Sequence, residues 1–272
     1  MILNVPDFNL EATLESGQVF GFEKIERGIY EGFISGSLVR LRQEGNRLNI
    51  DSLDVPEREV IHFFHLDFDM APVYKLLSED PHLNAVNQKF KGLRIIRQNF
   101  WEALACFIIS SNNNIKRIQK IRRNLVAEFS CPSLQFPSVD RIAESSEEKL
   151  RVLGLGYRAP FLLKTARVVA SSPEILDQIR GDSYHEAKAK LLEFPGVGEK
   201  VADCVLLFGV QKYEAFPVDT WILKVMRKLY FRNRNVAEDK IQRFGQNRWK
   251  QYAGYIQQYL FYGAKNGWCG LT

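Results

Sequence analysis

Residues 191–204 read Leu-Leu-Glu-Phe-Pro-Gly-Val-Gly-Glu-Lys-Val-Ala-Asp-Cys, and no other stretch restricts the fold so tightly. A helix ends near Phe194, and Pro195-Gly196-Val197-Gly198 leads straight into another. Two glycines allow positive φ and leave no Cβ to block close approach. Backbone N–H groups at the start of the second helix then point outward, where they can bind a phosphate. This is a helix-hairpin-helix pattern, whose grip on nucleic acid touches backbone and not base edges. Taken alone, Gly-x-Gly between helices also fits a plain tight turn.

The flanking sequence gives this motif its setting. Leu38–Arg42 and Arg47–Asp51 alternate apolar and polar residues around Glu44-Gly45-Asn46, which predicts a hairpin. Gly32 and Gly36 suggest bends or bulges in the strand before it. After residue 90 helix signals dominate. Phe100–Ile109 is apolar nearly all round, as a buried central helix must be. Ile115–Ala127 carries apolar residues at 115, 118, 121 and 125, with basic ones on the other face. Ser145-x-x-Glu148 and Ser183-x-x-Glu186 have capping-box spacing, and Pro160 suits a first helical turn. The expected class is α+β: a small antiparallel β-sheet domain over residues 1–90, then a larger all-helical domain over 91–272 carrying the helix-hairpin-helix.

Composition narrows the functional classes. At 272 residues the chain is a little under two domains of about 150. With no run of ~18 apolar residues, nothing is expected to span a membrane. The N-terminus lacks a basic, then apolar leader, so no secretory signal is visible. Cys106, Cys131, Cys204 and Cys269 are scattered without a CxxC pair, which fits neither a disulfide scaffold, a zinc site nor an iron–sulfur cluster. The expectation is an intracellular, reduced protein without metal or organic cofactor. Residues 1–90 hold 8 basic against 15 acidic side chains, a net of −7. Residues 91–272 hold 29 against 17, a net of +12. A basic back domain suggests a polyanionic partner.

Gly196-Val197-Gly198 with Lys200, then Phe216-Pro217-Val218-Asp219, resembles the helix-hairpin-helix–Gly/Pro–Asp superfamily of base-excision DNA glycosylases. Asp219 lies 19 residues beyond Lys200. Ser16-Gly17-Gln18, Ser110-Ser-Asn-Asn-Asn114 and Gly154-Leu-Gly-Tyr-Arg158 narrow the resemblance to the 8-oxoguanine DNA glycosylase/lyase family. It runs from about residue 7 to residue 265. The partner it implies is double-stranded DNA containing 8-oxoguanine, bound by a monomer. The implied location is the cytoplasm or nucleoid of a prokaryote, or the nucleus of a eukaryote.

A neutral lysine amine can attack the sugar C1′, displace the base and form a Schiff base. The Schiff base acidifies the C2′ proton and allows β-elimination of the 3′ phosphate. The resemblance gives this nucleophilic role to Lys200. It assigns Asp219, also a natural N-cap for a helix over Thr220–Tyr230, to stabilising positive charge on the sugar. It implies that the Gly17 carbonyl accepts from N7–H, a donor that 8-oxoguanine has and guanine lacks. Gln257, Phe261 and Cys204 are implied for the base pocket, Gln257 at the Watson–Crick edge and Phe261 by stacking. Gln257 has Gln258 as its immediate neighbour, so its register rests on Ala253-Gly-Tyr and Leu260-Phe261. Asn112, Arg117 and Arg158 match positions that hold the orphaned cytosine, and Tyr157 matches a wedge in the stack. Gly196, Val197, Gly198 and Trp221 are implied for DNA phosphates.

Three positions depart from the family pattern. Trp221 stands where a histidine is frequent, Phe22 where some relatives have tryptophan, and Gly21 where they have arginine. A cation held by the hairpin carbonyls stays open. Two other readings remain: a glycosylase for a different damaged base, and a non-catalytic helix-hairpin-helix DNA-binding protein. Lys200 argues against monofunctional alkyl-base types. The missing cysteine cluster argues against iron–sulfur types. Lys200 with Asp219 argues against a mere gripping module.

Overall fold

The computed structural model describes residues 1–130, 135–268 and 270. Two of the four scattered cysteines, Cys131 and Cys269, lie outside the described residues. The chain forms two compact units, residues 1–97 with 212–272, and residues 98–211.

The first unit opens with β1 (Ile2–Asn4), α1 (Leu10–Glu15), β2 (Glu23–Glu26), β3 (Ile29–Ile34), β4 (Ser37–Glu44) and β5 (Arg47–Asp51). The strands make an antiparallel sheet in the order β1-β5-β4-β3-β2. The expected hairpin joins β4 and β5 through Gly45-Asn46, with Gly45 at φ 58°. Alternation sets the buried face: Val39, Leu41, Leu48 and Ile50 point into the core. Gly36 is in the β3–β4 turn, where it and Ser35 both have positive φ. Gly32 does not mark a bulge. It pairs in regular register with Val39, and the register shift lies in β2 between Lys24 and Glu26. Glycine is needed at 32 because a Cβ there would meet the Phe22 ring at 2.5 Å. The chain continues through α2 (Glu57–Phe63), α3 (Ala71–Glu79) and α4 (Asn84–Phe90).

The second unit is helical among its described residues: α5 (Phe100–Ser110), α6 (Ile115–Phe129), α7 (Val139–Ala143), α8 (Glu147–Leu150), α9 (Ala159–Ser171), α10 (Glu174–Gly181), α11 (Tyr184–Leu192) and α12 (Glu199–Phe208). As its all-round apolarity demands, α5 is the central helix and packs against α6, α9 and α12. Ser183 forms the expected capping box with Glu186. At the second expected box the cap is Ser146, one residue beyond Ser145; its hydroxyl accepts from Lys149 N. Ser145 is still tied to the preceding helix by its N–H to Ile142 O, which leaves Ser146 the extended backbone that a cap needs.

The chain then rejoins the first unit as α13 (Thr220–Tyr230), α14 (Glu238–Trp249) and α15 (Ala253–Lys265). Helix α15 packs on α3, α4, α13 and α14, so residues after 211 group with the sheet. The sequence draws one boundary near residue 90; compactness draws two, near 97 and 211. The charge split changes with it. Residues 98–211 carry 15 basic and 13 acidic side chains, close to balance, whereas residues 212–272 carry 11 and 4. Most of the basic excess belongs to the unit with the acidic sheet.

Candidate active site

In the unit of residues 98–211, α11 and α12 flank the hairpin. Gly196 has φ +80°, and a Cβ there would lie 2.7 Å from the Phe161 side chain. Gly198 differs from the sequence expectation: at φ −99° and ψ −178° it is in extended backbone, not the left-handed region. It is the N-cap of α12 with no side chain to cap it, and the space where a Cβ would stand is open. The first N–H groups of α12 are thus left for an outside acceptor, the arrangement that suits an anion. The Val197 side chain is buried, and its N–H donates to Phe194 O.

Lys200 is in the first turn of α12, half-buried. Its Nζ donates to Ser110 Oγ at 3.3 Å and stands 5.3 Å from the centre of the Phe107 ring. Ser110 Oγ in turn donates to Phe107 O at 2.7 Å, so its lone pairs face the amine. Cys204, one turn after Lys200 and outside any disulfide, is buried. Between them Asp203 is 0% exposed and binds Lys188 Nζ at 3.0 Å and Tyr184 OH at 2.6 Å. Burial pushes the Asp203 carboxyl up from its ordinary range, against the pull of those two partners. Lys188 also pairs with Glu199 at 2.7 Å. A clamp between α11 and α12 therefore sits just behind the hairpin.

The Ser111–Asn112 turn gathers three of the expected residues. Arg158, 2% exposed, donates through Nε and Nη2 to Ser111 O at 2.7 and 2.6 Å, and through Nη2 to Asn112 O at 2.7 Å. Its guanidinium stands 4.3 Å from the centre of the Tyr157 ring. Tyr157 OH also donates to Ser111 O, while the residue stays 48% exposed. Asn112 is exposed at φ 49°. Arg117 is exposed too, in the first turn of α6, where its N–H donates to Asn114 Oδ1.

The other expected residues lie in the unit of residues 1–97 with 212–272. Gly17 follows α1 at φ 73°. Its carbonyl accepts no hydrogen bond among the described residues. Gln257 on α15 is 4% exposed; its Nε2 donates to Pro217 O at 3.1 Å, and its Oε1 is buried without a partner. Phe261 is one turn further along α15 and half-buried. Asp219 caps α13, its Oδ1 accepting from Ile222 N at 2.8 Å. Trp221 is half-buried, with Lys224 Nζ 5.6 Å from the centre of its ring.

Sequence reasoning missed Lys188, Asp203 and Gln258. Asp203 carries a readable signal, a lone carboxylate inside the apolar run Val201–Phe208, which must find a partner when buried. Among the described residues no group of His, Cys, Asp and Glu side chains is placed to hold a metal ion. Nor is any helix there long and apolar enough to cross a membrane.

The helix-hairpin-helix between α11 and α12 is the fold element of a DNA-repair glycosylase class, and the sequence comparisons identify the family. Residues 105–251 match the family described as HhH-GPD superfamily base excision DNA repair protein, and residues 1–104 match the 8-oxoguanine DNA glycosylase N-terminal domain. The chain belongs to the HhH-GPD superfamily of base excision DNA repair proteins. It is 32% identical to a probable N-glycosylase/DNA lyase of Methanothermobacter thermautotrophicus, over 97% of this chain and 96% of that one. It is 32% identical to the N-glycosylase/DNA lyase OGG1 of Arabidopsis thaliana, over 94% and 77%. The 8-oxoguanine glycosylase/lyase of Clostridium acetobutylicum, solved with double-stranded DNA containing cytosine opposite 8-oxoguanine, superposes with a TM-score of 0.91. That match is 34% identical and covers 98% of this chain and 95% of that one.

Proposed function

We propose that this protein flips 8-oxoguanine out of double-stranded DNA, with cytosine preferred opposite, removes it through a Schiff base at Lys200 and nicks the strand by β-elimination. The glycosylase and lyase activities rest on nearly full-length similarity to proteins bearing those names. The observation that carries the mechanism is Lys200 Nζ, held by Ser110 Oγ in the first turn after the hairpin.

The lysine nitrogen forms a bond to C1′ with its lone pair. The bond from C1′ to base N9 breaks, and the base leaves with that pair and takes up a proton. The sugar ring opens to an iminium. Loss of the C2′ proton then expels the 3′ phosphate by breaking its C3′–O bond, and water later frees the lysine. The Asp219 carboxylate stabilises the positive charge that grows on the sugar as the base departs. Ser110 steadies the amine before attack.

Damage is read by donors and acceptors. The free Gly17 carbonyl accepts from N7–H of 8-oxoguanine and repels the N7 lone pair of guanine. The Gln257 amide reads the Watson–Crick edge, its buried Oε1 gaining there the donor it otherwise lacks. Phe261 and Cys204 pack on the base faces. Asn112, Arg117 and Arg158 hold the orphaned cytosine, Tyr157 wedges the stack, and the hairpin with Trp221 grips phosphate. The enzyme works inside the cell as a monomer, with DNA as its partner.

Borohydride trapping on an 8-oxoguanine:cytosine duplex is the test. Wild type forms the covalent adduct and Lys200→Gln forms none; undiminished trapping in that variant removes Lys200 as the nucleophile. In the same assay excision falls when adenine replaces the opposite cytosine, and equal rates contradict the Asn112, Arg117 and Arg158 assignment.

A further inference from the structure

Helix α1 ends at Glu15, immediately before Ser16-Gly17-Gln18, and its last carbonyls lack helical partners as at any helix end. Two side chains of α15 supply them. Gln258 Nε2 donates to Ser16 O at 2.9 Å, and Lys265 Nζ donates to Glu15 O at 3.1 Å. Gln258 is 2% exposed, and Ser16 is buried as well.

The far side of the turn is fixed independently. Gln18 is fully buried, with Nε2 within hydrogen-bond distance of Thr13 O, Ser16 Oγ and Arg94 O. Its Oε1 accepts from Ile96 N at 2.7 Å. Gly17 therefore lies between two anchored residues. Its own carbonyl is the next in line after Ser16 O and is unclaimed among the described residues. Glycine has the widest backbone freedom of any residue, so an unanchored Gly17 would sweep its carbonyl through many directions.

We propose that Gln258 is a positioning residue for damage specificity, with Lys265 as its outer partner. By holding Ser16 O it limits the rotation of Gly17, so the carbonyl keeps the one direction that rewards N7–H. It touches neither the base nor the sugar. It also ties the recognition turn to α15, the helix carrying Gln257 and Phe261. The inference rests on the reading of Gly17 as the acceptor for N7–H.

Single-turnover cleavage of three duplexes tests it, with cytosine opposite 8-oxoguanine, opposite 8-oxo-7-deazaguanine (C–H in place of N7–H), or opposite a preformed abasic site. Wild type cleaves the first far faster than the second. Gln258→Met keeps the side-chain length without the donor, and cuts that ratio by about tenfold, the worth of one aligned hydrogen bond. Gln258→Glu, which sets a carboxylate against a carbonyl, lowers it further. Both variants nick the abasic duplex at the wild-type rate. An unchanged ratio in Gln258→Met overturns the proposal. So does a fall in abasic-site nicking that matches the fall on 8-oxoguanine, since that marks general support of the fold. A wild type indifferent to the deaza substitution overturns the Gly17 reading itself. If Gln258→Met does not fold, Lys265→Met, altered at an exposed position, must lower the same ratio, and an unchanged ratio there overturns the proposal.

Discussion

Lys188 of α11 and Asp203 of α12 are joined at 3.0 Å, with the carboxylate wholly shielded from solvent. The pair binds the two helices that flank the hairpin, and Tyr184 completes it from the first turn of α11. Lys188→Met leaves the Asp203 carboxyl buried without its cation, and Asp203→Leu leaves the Lys188 ammonium to the exposed Glu199. Lys188→Met or Asp203→Leu alone should cost about 3–5 kcal/mol in urea unfolding, and the double variant much less than their sum. Strict additivity in that cycle would show that the two side chains do not depend on each other.

Asp219 combines a cap with a charge, and the two can be separated. Asn caps a helix as well as Asp does. Asp219→Asn should therefore keep the thermal midpoint near wild type while excision slows by about a hundredfold or more, as for loss of a transition-state charge partner. Asp219→Ala should lose excision and also about 1 kcal/mol of stability. An Asn variant with wild-type excision would leave Asp219 only its capping role.

The two hairpin glycines should fail differently. Gly196→Ala forces a side chain into the left-handed region and onto Phe161, at a cost of about 1–3 kcal/mol. Gly198→Ala meets open space in extended backbone and should change stability by less than about 0.5 kcal/mol. It nevertheless plants a methyl beside the free N–H groups of α12, so affinity for an undamaged duplex should drop. Anisotropy titrations beside thermal melts distinguish the two. Normal DNA affinity in a folded Gly198→Ala variant counts against phosphate binding at that helix start.

His65 sets a dependence on pH. Burial, followed by the Arg97 charge, pulls its pKa down from 6.5 to about 3. Its Nδ1 faces Tyr255 OH at 2.8 Å, and its ring stacks on Tyr213. The folded chain thus refuses a proton that the unfolded chain accepts below about 6.5. Stability should fall as pH drops from there toward 3, by at most about 1.4 kcal/mol per pH unit from this residue. Urea midpoints for His65→Gln should vary less with pH over that window; parallel curves for both proteins would rule out His65 as the cause.

What the sequence makes legible follows from where the physics is local. The apolar circumference of α5, the alternation in β4 and β5, the Ser183 box and the hairpin are each written within about a dozen adjacent residues. The misses depend on distant partners. Strand β1, only three residues long, has too few positions to show a period, and it exists because β5 lies beside it. Glycine at 32 answers to the Phe22 ring, not to its neighbours in β3. The union of 212–272 with the sheet is made by α15 packing on α3 and α4, which no local pattern announces. Among the proposed functional residues, Lys200 and Asp219 are readable because their spacing matches the family pattern. Gln258 is hidden because its meaning depends on Ser16, 242 positions earlier.

That separation has a consequence for how the protein is born. Residues 98–211 are continuous in the chain and can fold while the rest is still being made. The other unit cannot close until its last helix has emerged, because its first and final segments are parts of one core. The tie between Ser16 and Gln258 forms only after α15 has been made, 242 positions after the turn it holds. A product cut short before α15 would hold the hairpin and Lys200 yet lack the helix whose Gln258 binds Ser16 O. On the proposed reading, discrimination between damaged and intact guanine therefore waits until α15 has been made.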